Sequence, residues 1–400
     1  MFVELHMLQN FAPSCLNRDD TNSPKDCEFG GYRRARISSQ CLKRAIRTHF
    51  KEAALLPDEN LAERTKRVVE LIANRLANEG KDLETAKNAV TAALAAARLK
   101  ASPEGAEVKT QYLLFLGNQE INELTKLVST HWEALTRPPE ATEASGKKKT
   151  AKQQKAAAQN AVPPEVVTAV DKLLNGGKAA DLALFGRMLA DLPEKNVNAA
   201  CQVAHALSTN KVNMEMDFYT AVDDLKPEDS AGADMLGTVE FNSACLYRYA
   251  NIDCDALLKN LHGDEDLTRK TIEAFLKASR AAIPTGKQNS SAAHNEPSFV
   301  FAVVRKSGLQ SLANAFVKPA RPSREDGIDK SLICNSIEAA DKFWGRVTAA
   351  YGEEGVVSKS YVECLAEDPE LSVLGKCKAA NFDALVKTVL DNISFDQKRK

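Results

Sequence analysis

Strand patterns at widely separated positions are the feature that most constrains the fold of this chain. Residues 2–9 alternate with a period of two, which predicts a strand with at least one buried face. Residues 241–252 are aromatic and rich in β-forming side chains, and residues 298–304 form a strong strand pattern. Helical patterns lie between them. Strands scattered among helices predict an α+β fold whose sheet is assembled from distant pieces of the chain.

Size and composition indicate a soluble globular protein. The 400 residues favour two or three domains, at about 150 residues each. A hydrophobic content of 44% and a charged content of 27% exclude the disordered and fibrous classes. The first residues lack the pattern of a signal peptide, and no apolar run approaches ~20 residues. We therefore expect a cytoplasmic protein without membrane contact.

The cysteines and histidines do not form a recognisable metal motif. The nine cysteines include no CxxC pair, and Cys201 and His205 lack a second ligand pair nearby. We expect free thiols, no metal and no cofactor. His205 lies in a largely apolar stretch that we predict to be helical, so we expect it to be a core histidine.

Positive charge is concentrated in one segment. From Gly30 to Lys51 there are seven basic residues and no acidic one, although the formal net charge of the chain is only -1. A local positive strip is typical of proteins that bind a polyanion backbone, because each neutralised phosphate releases condensed counterions. The alternative is a solvated face of an amphipathic helix. The candidate phosphate contacts are Arg33, Arg34, Arg36, Lys43, Arg44, Arg47 and Lys51.

Most of this strip falls on one predicted helix. Ser38 or Ser39 can cap it, because a serine hydroxyl accepts from the amides of the first turn. An apolar stripe marks its buried face, and Lys43, Arg47 and Lys51 lie four apart on a neighbouring face. Ser39 and Gln40 can donate to an anion at the helix start, where the helix dipole also favours negative charge. The stripe consists of Leu42, Ile46, Phe50 and Ala53.

The middle of the chain divides into three patterns. Residues 58–134 predict helices, and the helical signal resumes at residues 165–192. Residues 137–164 are bounded by prolines and rich in Lys, Ala and Gln, which predicts a disordered insertion. Two short apolar patches at residues 218–222 and 235–239 flank a polar tip, which predicts a β-hairpin.

The segments that carry a resemblance to a known family are His6–Arg47, Phe185–Met188, Ala204–Thr209, Asp217–Asp224, Leu236–Ser243 and Tyr247–Ile252. The chain resembles the backbone subunit of the type I-E CRISPR effector complex, Cascade, which is the CasC type of the RAMP superfamily. That resemblance implies a palm with a modified RNA-recognition-motif (ferredoxin-like) fold, a helical fingers subdomain and a protruding β-hairpin thumb.

The resemblance also implies a division of the chain. The palm is expected to comprise residues 1–57, 182–207 and 241–400, the last with the C-terminal helices. The fingers are expected at residues 58–181, including the insertion, and the thumb at residues 208–240.

The implied function is RNA binding in antiviral defence, without catalysis. In that family several copies stack along one CRISPR guide RNA, together with other Cascade subunits. Each thumb reaches over the RNA, and one base is displaced at regular intervals. The target DNA is then read by pairing with the guide, so the protein holds backbone and shape rather than sequence.

The resemblance adds site residues to the basic strip. Asn17 and Arg18 are expected in the same groove. From its residues alone, the loop of Lys287, Gln288 and Asn289 offers donors for phosphate or 2′-hydroxyl groups, and an ordinary exposed connection is the alternative. The apolar candidates for base contacts are Met188, Phe218, Tyr219 and Val222. The alternative is that these side chains are buried in the protein core. A stacked side chain contributes about 1–3 kcal/mol per base without choosing a sequence.

A competing function is metal-dependent RNA cleavage. Related backbone subunits of type III effectors use a loop aspartate, and Asp19, Asp20 or Asp26 could act in this way through a metal-activated water. The alternative is that Asp19 and Asp20 organise the turn beside Arg18. No carboxylate cluster with metal-ligand spacing accompanies them in the sequence, so we favour the turn.

Overall fold

The computed structural model describes residues 1–137, 162–221, 224, 235–325 and 328–395. The chain forms two compact units. Unit 1 comprises Met1–Leu55, Cys201–Asp255 and Arg269–Lys400, and unit 2 comprises Leu56–Ala200 and Ala256–Thr268. Residues 182–200, which we predicted as part of the palm, belong to unit 2.

Strands occur in both units. Those within the described residues are β1 (Phe2–Ser14), β2 (Asp26–Phe29), β3 (Tyr32–Ile37), β4 (Ala62–Thr65), β5 (Ala101–Glu104), β6 (Glu107–Thr110), β7 (Leu114–Gly117), β8 (Cys201–Val203), β9 (Ala206–Ser208), β10 (Glu215–Ala221), β11 (Met235–Asp253), β12 (Phe299–Arg305), β13 (Ser323–Glu325), β14 (Ile328–Lys330) and β15 (Val356–Glu363).

Helices alternate with these strands. Those within the described residues are α1 (Ser39–Glu52), α2 (Val68–Asn78), α3 (Leu83–Ala96), α4 (Asn118–Thr130), α5 (Trp132–Thr136), α6 (Pro164–Leu173), α7 (Ala180–Phe185), α8 (Cys254–Asn260), α9 (Glu265–Ala281), α10 (Gln288–Ser291), α11 (Leu332–Tyr351) and α12 (Phe382–Asp391). The mixture of helices and strands confirms the α+β class.

Unit 1 is built on one large sheet. Its strands run in the order β15, β12, β1, β11, β9, β3, β2, and β8 and β10 also pair with β11. β1 is antiparallel to both of its neighbours, with Phe2 opposite Arg305 on β12 and opposite Asp253 on β11. The central strands therefore come from the start, the middle and the last third of the chain, which confirms a sheet assembled from distant pieces.

Each face of this sheet is covered by a helix. On one face Leu8, Phe301 and Trp344 of α11 belong to one buried cluster. On the other face Ile37 and Leu42 of α1 belong to a second buried cluster. Burial of one apolar stripe of α1 against the sheet fixes which of its faces remains available to solvent.

Unit 2 is mainly helical but contains short strands that we did not predict. β4 pairs with β7, with Ala62 opposite Gly117. Our predicted helical region began at residue 58, whereas α2 begins at Val68. The pairing with β7 involves residues about fifty positions away, and such a tertiary contact overrides the local helical preference.

Two predictions fall largely on residues outside the described ranges. The insertion is described only at its ends, where Val162 packs into the core of unit 2. In the predicted hairpin, β10 pairs with β11 from Glu215 opposite Phe241 to Ala221 opposite Met235. Val222 and the hairpin tip lie outside the described residues. Among the residues that are described, no helix combines the length and apolar character needed to cross a bilayer.

Candidate functional site

The start of α1 is the centre of the site on unit 1. Ser38 is the N-cap, and its hydroxyl accepts from the Cys41 N–H at 3.3 Å. The Ser38 N–H donates to Asn17 Oδ1 at 2.8 Å, so the cap is tied to the loop that follows β1. The first turn of this fully described helix carries no acidic residue. This helix start is thus kept suitable for an anion.

The basic side chains of α1 lie beside its buried stripe. Leu42, Ile46 and Phe50 are buried, as the spacing predicted. The basic residues are half-buried or exposed: Lys43 and Arg47 are half-buried, and Arg44 and Lys51 are exposed. Long basic side chains commonly keep their charged ends at the surface while their stems pack. Gln40 is exposed and Ser39 half-buried at the helix start.

The loop after β1 is held by its own hydrogen bonds. The Lys25 N–H donates to the Asn17 carbonyl at 2.8 Å, and Arg18 Nη1 donates to Asn22 Oδ1 at 2.5 Å. Asp19 Oδ1 accepts from the Thr21 N–H, the Thr21 hydroxyl and the Ser23 N–H at 2.8–3.0 Å. The Thr21 hydroxyl, followed by these backbone donors, lowers the pKa of the Asp19 carboxyl. Asp19 therefore organises the turn.

His205 is a site residue that our sequence reasoning misplaced. It is exposed in the connection between β8 and β9, rather than buried on a helix. Its Nδ1 accepts from the Ser39 N–H at 3.3 Å and lies 3.3 Å from Arg36 Nη1. Desolvation, with the charges of Arg36 and Lys25, lowers the pKa of His205, so the ring is neutral at pH 7. The sequence shows no local sign of this contact, because 166 residues separate His205 from Ser39.

The loop before β12 approaches the same region. A Cβ on Gly286 would lie 2.3 Å from the Leu16 carbonyl oxygen, so only glycine allows this close approach. Lys287 is half-buried, and its charge lies close enough to Cys15 to influence the pKa of that thiol, which burial raises. Asn289 is exposed. Gln288 Oε1 accepts from the Ala293 N–H at 2.8 Å, and Gln288 Nε2 donates to the Pro284 carbonyl at 3.2 Å. Gln288 thus organises the loop.

Arg34 is a correction to the predicted strip. Its side chain is fully buried, and it donates to the carbonyls of Ser208, Thr209, Phe316 and Val317 at 2.7–3.1 Å. Burial of the guanidinium is compensated by these four acceptors, which leaves it no route to a phosphate. The neighbouring Arg33 is exposed and pairs with Asp26.

The two aromatic candidates of the hairpin face opposite ways. Adjacent residues of a strand point to opposite faces, so Phe218 and Tyr219 do not form one wedge. Phe218 is 63% exposed and shares its face with exposed Met216 and Leu236. Tyr219 lies across Gly237, where an added Cβ would come within 2.5 Å of its ring.

Met188 is held in unit 2 and is 80% exposed. It stands between Arg187 and Leu189, which are both buried, with exposed fractions of 4% and 0%. Arg187 Nη1 lies 3.0 Å from Glu120 Oε1 and 2.9 Å from Glu120 Oε2. Met188 is therefore not a core methionine, and its backbone is fixed on both sides.

The three aspartates of the alternative function do not come together as ligands. Asp19 Oδ1 is used in its turn, and Asp26 pairs with Arg33. Across the part of the chain that the structure describes, no group of three or more His, Cys, Asp or Glu side chains is arranged to hold a metal ion. These contacts favour a structural use of Asp19 and Asp26.

Comparison with known proteins gives consistent matches over nearly the whole chain. The sequence model of a family described as "CT1975-like protein" matches residues 3–388. A solved chain of a "CRISPR RNA-guided surveillance complex, pre-nicking" is 29% identical, with a TM-score of 0.81, over 98% of this chain and 99% of that one. Another, from a "CRISPR RNA-guided surveillance complex", is 25% identical, with a TM-score of 0.71, over 98% and 100%. None of the curated proteins matches the chain.

Proposed function

The chain belongs to the CT1975-like protein family, and from this premise we propose that it is an RNA-binding backbone subunit of a Cascade-type CRISPR surveillance complex. The proposal extends to the type I-E form of the complex and to a palm of the RNA-recognition-motif type in unit 1. The partners are a CRISPR guide RNA, further copies of this chain, other Cascade subunits and target DNA that pairs with the guide.

The observation that carries the proposal is the convergence of donors and positive charge around the start of α1. Asn17 is bonded to the helix cap, and the Gly286 loop packs against Leu16. His205 and Arg36 meet at the first turn. A surface of this kind suits a phosphate backbone, because phosphate contacts come mainly from basic side chains, small polar side chains and helix N-termini.

Exposed apolar side chains supply a second requirement. A backbone subunit has to hold bases as well as phosphates, and bases present flat apolar faces. Phe218 on β10 and Met188 in unit 2 are both largely exposed. A soluble protein gains nothing in its own stability from such exposure, and contact with a base would bury these side chains.

We include in this proposal that the subunit does not cleave RNA. Metal-dependent hydrolysis needs carboxylate oxygens that are available to the ion. Asp19 Oδ1 already accepts three hydrogen bonds within its turn, and Asp26 is paired with Arg33.

The salt dependence of RNA binding tests the basic surface. For single strands, log Kd changes with log salt concentration by about 0.7 for each phosphate contact. We expect Lys43→Glu combined with Arg47→Glu to weaken binding of all RNA sequences alike and to reduce that slope by about 1.4, as two lost contacts predict. Lys387→Glu, on the exposed side of α12, is the matched control and should leave both quantities unchanged.

Two results would contradict the proposal. An unchanged slope in the double variant would show that α1 does not bind phosphate, and a sequence-selective loss would indicate base recognition instead. In a second experiment, the complex is purified from cells that contain its partner proteins and a guide array. Uncut guide RNA of uniform length is expected, and metal-dependent cleavage of complementary RNA that Asp19→Ala or Asp26→Ala abolishes would instead identify a nuclease.

A further inference from the structure

The loop that presents Met188 is built to hold one exposed side chain in place. It follows α7 through Gly186, whose φ of +79° is unfavourable for other residues. A Cβ at this position would lie 2.8 Å from the Val197 carbonyl oxygen and 2.9 Å from the Ala199 nitrogen. The chain can therefore turn tightly against residues 197–199 only with glycine here.

Backbone hydrogen bonds fix the residues on both sides of Met188. The Arg187 N–H donates to the Val197 carbonyl and the Val197 N–H donates back to the Arg187 carbonyl, both at 2.9 Å. On the other side, the Leu189 N–H donates to Asn196 Oδ1 at 2.6 Å. The Leu189 side chain is itself fully buried in the unit 2 core. Met188 thus has little backbone freedom although its side chain is exposed.

A buried ion pair reinforces the same loop. Glu120 lies at the start of α4, where its two oxygens accept from the N–H groups of Gly117 at 2.8 Å and Gly176 at 2.7 Å. The Arg187 guanidinium contacts both oxygens and also donates to the carbonyls of Leu174 and Lys195 at 3.3 Å. Both side chains are buried, at 1% and 2% exposure. Such a pair is costly unless its polar atoms are hydrogen-bonded, and here both Glu120 oxygens and both Arg187 Nη atoms have partners.

We infer that Glu120 and Asn196 are positioning residues for RNA binding, because they hold Arg187 and Leu189 so that the Met188 side chain meets a nucleobase in one fixed place. This inference rests on the proposed function. Neither Glu120 nor Asn196 need touch RNA, since Glu120 acts through the Arg187 side chain and Asn196 through the Leu189 N–H. Contact between a thioether and an aromatic ring depends on close approach, so a loosened loop loses the benefit of Met188 even though the methionine is still present.

The test is a double-mutant cycle on RNA affinity, measured with the full-length chain and a short fluorescein-labelled single-stranded RNA. In the parent, Met188→Ala should weaken binding by about 2- to 10-fold, the range of a sulfur–aromatic contact. In a Glu120→Gln background the same change should have almost no effect, because the contact is already lost. Non-additivity of this kind reports coupling between sites rather than stability alone.

Surface variants keep the test valid if Glu120→Gln does not fold. Asn196 is exposed, so Asn196→Ala removes the acceptor for Leu189 without opening the core. It should also abolish the effect of Met188→Ala. Asn196→Asp keeps an acceptor oxygen and should restore that effect. Leu94→Ala destabilises the same unit through a cavity. In this background Met188→Ala should weaken RNA binding by the same factor as in the parent.

The outcomes separate this inference from the function on which it rests. An equal loss on Met188→Ala in all backgrounds would overturn the positioning role and leave RNA binding intact. If Met188→Ala has no effect in the parent, while Lys43→Glu with Arg47→Glu still weakens binding, the positioning role is again overturned. If the parent does not bind RNA at low salt, the proposed function fails, and the inference fails with it.

Discussion

The two units present their proposed RNA contacts in opposite ways. On unit 1 the contacts are long basic side chains and backbone donors around the start of α1. On unit 2 a single exposed methionine is held between two buried neighbours. The attraction between a cation and a phosphate extends over about 8–10 Å, whereas a van der Waals contact already loses about a quarter to a half of its energy when the atoms separate by about 0.5–1 Å. A charged side chain can therefore attract a phosphate without a fixed position, whereas an apolar side chain has to be held in place to contact a base.

The difference is visible in two arginine ion pairs, one in each unit. Arg33, at the edge of unit 1, is exposed and paired with Asp26. Arg187, beside Met188, is buried and paired with Glu120. The first pair competes with water and salt, so it contributes little to stability. The second has no water to replace a lost partner, so the loop depends on it.

The largest effect we expect is on the stability of unit 2. Arg187→Met should lower its free energy of unfolding by about 3–5 kcal/mol, because it leaves Glu120 buried without its cation. Arg33→Met, as the matched control, should cost less than about 1 kcal/mol. The measurement is urea unfolding followed by fluorescence. The chain has two tryptophans, Trp132 in unit 2 and Trp344 in unit 1. The difference between traces recorded with and without Trp132→Phe therefore follows unit 2 for Arg187→Met, and the Trp132→Phe background follows unit 1 for Arg33→Met. Equal losses in the two variants would remove the contrast.

The next effect concerns the hairpin, where one aromatic residue is exposed and the other packs within the hairpin. Phe218→Ala should leave unfolding unchanged but lose about 1–3 kcal/mol of stacking for each displaced base, because Phe218 is exposed. Tyr219→Ala should act mainly by loosening the hairpin, because its ring packs on Gly237. Chemical probing of the guide RNA in the assembled complex distinguishes them. Unchanged reactivity of the displaced bases in Phe218→Ala would rule out the stacking role.

The sequence was most informative where a structural feature is local. The spacing of Leu42, Ile46 and Phe50 predicted the buried stripe of α1, since these residues lie within one helix. It also predicted β1, β11 and β12, which are three adjacent strands in the middle of the sheet. The period-of-two pattern reports burial on one face, and this does not depend on which strand is the partner.

The sequence failed where a side chain's role depends on distant partners. Arg34 resembles its basic neighbours, but its four acceptors lie 174–283 residues away and bury it. His205 was misplaced for the same reason. Glu120 supports Met188 through Arg187, and Glu120 and Arg187 are 67 positions apart in the sequence. No local pattern could therefore have indicated this support. The resemblance to a family, rather than residue spacing, pointed to Met188.

The smallest effect tests the basic surface at the start of α1 through His205. Its pKa is lowered in the folded chain, so the unfolded chain takes up a proton first as the pH falls below the ordinary value of 6.5. The contribution of His205 to stability is therefore fully present above that value and is lost as the pH falls towards the lowered pKa. Protonation of Nδ1 also removes the acceptor for the Ser39 N–H.

RNA affinity should depend on pH in the opposite direction to the stability of the free chain. A bound phosphate favours the charged ring, so RNA affinity should rise slightly over the same acidic range in which the free chain loses stability. His205→Gln, which does not titrate, should flatten both trends, and taking the difference from the parent removes the contribution of buried His6, whose pKa is lowered to about 3. If affinity instead falls on acidification in the parent but not in His205→Gln, the ring serves only to hold the start of α1 and does not face the phosphate backbone.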